Sequence, residues 1–244
     1  PFFDILQPQK YPFGEIKVRK AMQLSINSKE LADSMYGGIG GQYALFYISP
    51  SAYFFDATVL KTDPYDPEQA KKLMADAGYA GGFGTKIWQT RAGVLPQLIQ
   101  ATSGYWGKIG VRAEIANMDY TAFLSTLVPN IKPELYGTIW ELDSGAFYGS
   151  DGLVSGYHSK KGTPKNINNP QLDDLIDKIP QTLDPVEKKR IALEAARLAQ
   201  QEYNTMRIVT IPTDVAVSSK IKEVSTGVYT RVIPGFQEMI KNLK

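Results

Sequence analysis

Apolar residues recur at three- and four-residue spacing between residues 15 and 37, and this pattern predicts two successive helices. The first helix is expected to bury one face against a sheet or a second helix. The residues on that face are Val18, Ala21, Met22, Ser25 and Ile26. Ser28 is the predicted N-cap of the second helix, because its hydroxyl can accept a hydrogen bond from a backbone N–H of the first turn. Gly37 is predicted to end that helix in the left-handed conformation.

Three further helices are predicted where a capping residue is followed directly by proline. These dipeptides are Asp66-Pro67, Asn169-Pro170 and Asp184-Pro185. The helix after Asp66 carries an apolar stripe and is expected to end at Gly78. The helix that begins at residue 185 is predicted to reach residue 203 and to lead into an apolar strand at 207–212.

The middle of the chain alternates strand and helix patterns. Residues 111–117 alternate apolar and mostly polar side chains, which is typical of a strand with one covered face. The other segments predicted here are strands at 85–90 and 136–140, helices at 94–109 and 120–127, and a flexible glycine-rich turn at 81–84. Asp119 is the predicted cap of the helix at 120–127. This succession predicts an α/β sheet with helices packed on it.

Composition and charge exclude several classes of function. The 244 residues carry a formal net charge of +2 and include no cysteine. The basic residues are scattered, and the densest run, 188–190, is predicted to be a solvated helix face, so we expect no nucleic-acid partner. No apolar run approaches the roughly 18 residues of a membrane helix. Without cysteine, the chain has no thiolate metal site, disulfide or cysteine nucleophile.

Two motifs in a fixed order carry a family resemblance. The first is Val18-Arg19-x-Ala21 followed by Ile26 and Leu31, and the second is Tyr65-Asp66-Pro67-x-x-Ala70-x-x-Leu73 followed by Ala77-Gly78-Tyr79. Their order resembles extracytoplasmic solute-binding protein family 5, the dipeptide-, oligopeptide- and nickel-binding proteins of ABC importers. Asn27 stands where the family more usually has aspartate.

The resemblance implies one lobe of a two-lobed, type II periplasmic binding protein-like fold, with a mixed sheet flanked by helices. Residues 1–14 are then an interlobe or hinge segment, residues 15–214 the C-terminal ligand-binding lobe, and residues 215–244 a tail that returns to a missing N-terminal lobe. The implied protein is a monomer in the periplasm or outside the cell. It is either anchored to the membrane through an N-terminus that is absent here or not anchored. Its implied partners are a peptide or other small solute and the permease subunits of an ABC importer.

Trp140-Glu141-Leu142-Asp143 is the strongest candidate for ligand chemistry. A strand that ends in Trp-x-x-Asp places an apolar ring and a carboxylate near a sheet edge, where a ligand can stack on one and pair its ammonium with the other. A buried tryptophan and a turn-forming aspartate explain the same residues. The resemblance makes Trp140 a cleft wall and Asp143 a receptor for the amino group of a peptide. It also implies ligand contacts by Tyr120 and Tyr148, although a place in the apolar core explains Tyr120 equally well.

Other chemistry finds less support in the sequence. His158, the single histidine, is predicted to lie on the surface in a polar loop, because no second metal ligand stands at useful spacing. The glycine cluster at 37–41 lacks the lysine and the serine or threonine of a phosphate-binding loop, and we expect neither cofactor nor metal. Two alternatives to transport remain: a small α/β hydrolase or glycosidase that uses acidic residues such as Glu141 and Asp143, and a ligand-sensing module.

Overall fold

The computed structural model describes residues 2–6, 12–38, 48–50, 52–90, 96–127, 132–142, 149–162 and 167–209, with only the backbone for residues 2–4, 127, 141 and 142. The strands are β1 (Phe2–Leu6), β2 (Phe83–Thr90), β3 (Val111–Met118), β4 (Thr138–Leu142) and β5 (Thr205–Arg207). The helices are α1 (Ile16–Leu24), α2 (Ser28–Tyr36), α3 (Pro67–Asp76), α4 (Pro96–Gly107), α5 (Tyr120–Leu127), α6 (Asp151–Tyr157), α7 (Pro170–Lys178) and α8 (Pro185–Gln201). A short 3-10 helix covers Pro133–Leu135.

The five strands form one mixed sheet in the order β3-β2-β4-β1-β5. β2 pairs in parallel with both β3 and β4, and β1 pairs antiparallel with both β4 and β5. This arrangement confirms the predicted α/β class. The predicted strand at 207–212 is misplaced within the described residues, because β5 begins at Thr205 and ends at Arg207, while residues 208 and 209 are not in a strand.

Side chains alternate between the two faces of the sheet, and an apolar cluster lies on each face, although Arg112 and Glu114 of β3 are exposed. Ile5, Ile87 and Ile139 face a core that they share with α1, α2, α3 and α4. Leu6 and Trp140 face the opposite way and pack against Phe123 of α5. A separate apolar core joins α6, α7 and α8 to part of the connection between α2 and α3, and its residues include Phe54, Leu153, Leu172, Ile176 and Ala195.

The predicted caps hold for four helices. Asp66, Asn169 and Asp184 each accept a hydrogen bond from the backbone N–H three residues on, and proline occupies the first turn of each helix. Asp119 accepts from the backbone N–H groups of residues 121 and 122 at the start of α5. At each of these helix starts, a side chain next to the helix in sequence therefore satisfies one or two of the free backbone donors.

The prediction that Ser28 caps α2 is wrong by one residue. Asn27 is the cap: its Oδ1 accepts from the backbone N–H of Glu30 at 3.1 Å, and its Nδ2 donates to the Glu30 carboxylate at 3.1 Å. The amide of Asn27 can make both bonds because its oxygen accepts and its nitrogen donates. Gly37 ends α2 with a φ of 61°, as predicted.

The turn predicted at 81–84 is shorter than expected, because Phe83 and Gly84 belong to β2. Gly82 has a φ of +70°, and a Cβ built there would lie 2.0 Å from the carbonyl oxygen of Gly110. Phe83 donates its backbone N–H to that same oxygen at 3.1 Å, and β2 begins at Phe83. The two glycines therefore allow the chain segments that enter β2 and β3 to touch through their backbones.

Candidate functional site

The carboxyl ends of three parallel strands meet at one edge of the sheet. Registers of Thr90 with Met118 and of Trp88 with Trp140 place the ends of β2, β3 and β4 side by side. The helix after β2 packs on one face of the sheet and the helix after β3 packs on the other. In open α/β sheets this change of direction leaves a crevice outside the carboxyl ends of the strands. We call this the carboxyl edge of the sheet.

The segments that leave the carboxyl edge contain three of the four predicted ligand residues. Tyr120 follows β3 by two residues and is the first residue of α5. Asp143 follows β4 directly, and Tyr148 lies five residues further along the chain. Asp143 and Tyr148 lie outside the described residues. Their roles stay predictions.

Among the described residues at this edge, Tyr120 is an aromatic residue with substantial exposure. Its side chain is 37% exposed at the N-terminus of α5, whereas Phe123, one turn on, is fully buried against the sheet. Asp119 fixes this orientation, because its carboxylate accepts from the Thr121 and Ala122 N–H groups at 2.9 and 3.1 Å. α5 thus buries one face and presents the ring of Tyr120 to solvent.

Trp140 lies under α5 and is only 4% exposed. Its ring centroid is 4.9 Å from that of Phe123, with the two planes tilted by 38°. Its Nε1 is buried and has no hydrogen-bond partner among the described residues. A buried indole N–H is normally satisfied, so this donor requires an acceptor from a ligand or from a segment outside the described ranges.

The next aromatic residue along this face is Trp88 of β2. Its Nε1 donates to the hydroxyl of Thr138 at 3.0 Å, and the Lys86 ammonium lies 5.0 Å from its ring centroid. Lys86 also lies 3.6 Å from the Glu114 carboxylate on β3. Sequence reasoning missed Trp88 as a neighbour of Trp140, although both occupy strands that the pattern predicted. Only the parallel register of β2 with β4 brings them together.

His158 is not a surface residue, so that prediction is wrong. It is 3% exposed and is the C-cap of α6, directly before the turn at residues 159–161. Nε2 lies 3.2 Å from a carboxylate oxygen of Asp177, and Nδ1 accepts from the Lys160 backbone N–H at 3.2 Å and lies 3.3 Å from Asp173. The two aspartates lie on α7, a neighbour that no local pattern reveals. His158 thus joins α6 to α7.

The carboxylate of Asp177 is held in its charged form. A hydrogen bond from the Lys161 ammonium, supported by the charge of Lys161 and by a hydrogen bond with the His158 ring, keeps the pKa of Asp177 below its ordinary value. Across the described ranges, no group of three or more histidine or acidic side chains is arranged to hold a metal ion. The cluster around His158 therefore has a structural explanation: it fixes the turn after α6 on α7.

The arginine of the first motif is also structural. Arg19 is buried, donates from Nε to the Glu202 carbonyl at 2.7 Å and from Nη1 to the Phe13 carbonyl at 2.7 Å, and lies 3.5 Å from the Glu202 carboxylate. Burial lowers the pKa of Arg19, and the charge of Glu202 opposes that effect. Asn169 donates to the same carboxylate at 2.7 Å. This network joins α1 to the ends of α7 and α8.

A second buried polar network lies where α1, β5 and the segment before α3 meet. Gln23 exchanges two hydrogen bonds with the backbone of Arg207, at 2.8 and 2.9 Å. The Arg207 guanidinium pairs with Asp63, which also accepts from the Tyr203 hydroxyl at 2.9 Å. Burial, with the nearby charge of Asp63, raises the pKa of Tyr203. The junction is polar, buried and internally paired, which is typical of a structural network.

Comparison with known proteins shows which family this chain belongs to. Residues 3–160 match the family model described as "Bacterial extracellular solute-binding proteins, family 5 Middle". Glutathione-binding protein GsiB of Escherichia coli (strain K12) is 27% identical over 202 residues, which cover 78% of this chain and 38% of that relative.

Two solved structures have a similar fold. HbpA2 from Haemophilus parasuis has a TM-score of 0.72 and 19% identity, covering 85% of this chain and 41% of that one. A dipeptide binding protein from Pseudoalteromonas sp. SM9913, in complex with Met-Leu, has a TM-score of 0.71 and 22% identity, covering 85% and 42%. The chain therefore spans less than half the length of each of these relatives. No helix in the described parts of the chain is long and apolar enough to cross a membrane.

Proposed function

Because the chain belongs to family 5 of the bacterial extracellular solute-binding proteins, we propose that the protein containing it is the solute-binding component of an ABC importer. Such a protein captures a solute between two lobes and delivers it to a membrane permease by hinge closure. The observation that carries this proposal is the carboxyl edge, where three parallel strands end and where the segments with Tyr120, Asp143 and Tyr148 begin.

We assign residues 15–214 to one ligand-binding lobe, residues 1–14 to the hinge and residues 215–244 to a return toward a second lobe. The coverage of relatives supports this assignment, since each is more than twice as long as the part matched here. The protein acts outside the cytoplasm, as a monomer, with permease subunits as partners. Its role is stoichiometric binding, without a catalytic step.

The solute we propose is a short peptide or a related small molecule with a free amino group. A GsiB relative is named for glutathione, and the Pseudoalteromonas structure holds Met-Leu. In this chain Asp143 would receive the ammonium, and Tyr120 would supply an exposed ring against which the ligand packs. Tyr148 would contact it from the segment after β4. Trp140 would support α5 from below, with its indole N–H satisfied by the ligand or by the neighbouring segment.

The experiment compares peptide binding by the full-length protein and by matched variants. Isothermal titration with a dipeptide and with its N-acetylated form tests the ammonium contact directly. Asp143→Asn should weaken binding of the free dipeptide by roughly ten- to a hundredfold, the value of a charge-assisted hydrogen bond. Asp151→Asn, on α6, is the control and should leave binding unchanged. Equal binding of the free and acetylated dipeptides would refute the role of Asp143.

A further inference from the structure

The hairpin of α7 and α8 ends in two apolar side chains that stand free of the protein. Leu183 is 94% exposed and Val186 is 77% exposed, and these are the most exposed large apolar residues among those described. They flank Asp184 and Pro185, at the start of α8. We call residues 179–187 the hairpin tip.

The hairpin tip is rigidly built. The Asp184 carboxylate accepts from the Glu187 N–H at 2.7 Å, Gln181 donates to the Asp177 carbonyl at 2.9 Å, and the Thr182 hydroxyl donates to the Lys178 carbonyl at 2.9 Å. Behind it, α7 and α8 share one apolar core. The chain that carries Leu183 and Val186 is therefore held by hydrogen bonds on both sides of Leu183.

The charge around the tip is positive. Residues 178–190 contain four basic and two acidic side chains. Of the acids, Asp184 is used as a helix cap, and Glu187 is paired by both nitrogens of the Arg190 fork at 2.8 Å. Lys178 and Lys189 are exposed, and Lys188 is half-buried. Lys189 also interacts electrostatically with the Asp56 carboxylate, and the formal charge of residues 178–190, four basic minus two acidic side chains, is +2.

We propose that the hairpin tip contacts an anionic lipid surface, with Leu183 and Val186 entering between headgroups and the lysines facing lipid phosphates. Two side chains cannot supply the roughly 800 Å² that each partner gives to a standard protein interface. A bilayer sets no such minimum, because apolar insertion and attraction to anionic lipid add together. This inference is independent of the solute and of the carboxyl edge.

The test is co-sedimentation of the full-length protein, purified without any lipid anchor, with vesicles. One set contains phosphatidylcholine alone, and the other an equal mixture of phosphatidylcholine and phosphatidylglycerol. We expect binding to the mixed vesicles only. Substituting Leu183→Ser and Val186→Ser together should weaken it about tenfold or more. Substituting Lys188→Gln and Lys189→Gln should weaken it by a further large factor, about fivefold per lysine.

The control variant carries Ile16→Ser and Val59→Ser, two exposed apolar residues elsewhere on the surface. It should bind within about twofold of the unsubstituted protein, and all variants should keep the same melting temperature. Absence of binding to mixed vesicles, or an equal loss in the tip and control variants, would overturn the proposal. So would a tip variant that binds vesicles normally but no longer binds the purified permease in detergent, since the partner would then be a protein.

Discussion

Replacing Gly82 by alanine should destabilise the protein, because two separate effects act at this residue. Its φ of +70° lies in the left-handed region, which costs an L-residue with a side chain about 1–2 kcal/mol. The new Cβ would also lie 2.0 Å from the Gly110 carbonyl oxygen and 2.6 Å from its carbon. Relieving that overlap requires movement of backbone rather than of a flexible side chain, at a further cost of about 1–3 kcal/mol.

The combined loss is about 2–5 kcal/mol, which lowers the melting temperature of a chain this size by roughly 4–20 °C. Gly81→Ala is the matched control, since its Cβ would meet no atom within 4 Å. It should change stability by less than about 1 kcal/mol. Thermal unfolding followed by circular dichroism measures both variants. If Gly82→Ala and Gly81→Ala melt together, the close approach of the two backbones is not rigid and the argument fails.

Three other substitutions test the buried networks and the site. Arg19→Met leaves Glu202 without its ion pair and should cost about 2–4 kcal/mol in a urea titration, whereas Lys17→Met, on the exposed face of α1, should cost little. Asp177→Asn should lower the melting temperature near neutral pH. The pKa of Asp177 is lower in the folded than in the unfolded protein, so its carboxylate stabilises the fold at pH values above the unfolded pKa. This stabilisation disappears as the pH falls through the folded pKa. The melting temperatures of wild type and variant should therefore converge below roughly pH 4. Tyr120→Ala should weaken solute binding by about tenfold while leaving stability nearly unchanged, because the ring is exposed; equal affinity in calorimetry would remove Tyr120 from the site.

Local chemistry in the sequence predicts where helices begin. Asp66, Asn169 and Asp184 cap their helices within a few residues of chain, so no distant contact is needed to place them. The same local reasoning predicts Ser28 as the cap of α2, whereas the cap is the preceding residue, Asn27, which makes two bonds with Glu30. The starts of α2, α3, α5, α7 and α8 are thus predicted to within one residue, whereas α6 is not predicted at all.

Burial of polar residues depends on neighbours that are distant in sequence. Arg19 lies on the helix face next to the predicted apolar stripe, and its partner Glu202 is 183 residues away. His158 was predicted on the surface because its own segment is polar, yet α7 brings Asp173 and Asp177 against it. Neither outcome follows from periodicity, since each requires the packing of helices across the fold.

The candidate site was partly predictable for the same reason. The residue pattern predicts a strand that contains Trp140, and capping by Asp119 predicts a helix that begins at Tyr120. The sequence therefore places both residues next to the ends of strands. Their different exposure does not follow from it: Trp140 is covered because Phe123 of α5 packs on it, and Tyr120 is exposed because it precedes the covered turn. The parallel register that places both at one edge is a property of the sheet.

The central claim, capture of a solute with a free amino group, is tested most directly by native mass spectrometry of the full-length mature protein purified without refolding. We predict a co-purifying small ligand or peptide ladder, lost in Asp143→Asn. A melting temperature that rises with di- and tripeptides is also expected, since ligand at a hundred times its Kd adds about 2.7 kcal/mol. An empty protein whose melting temperature does not change with any peptide, including glutathione, would contradict the account.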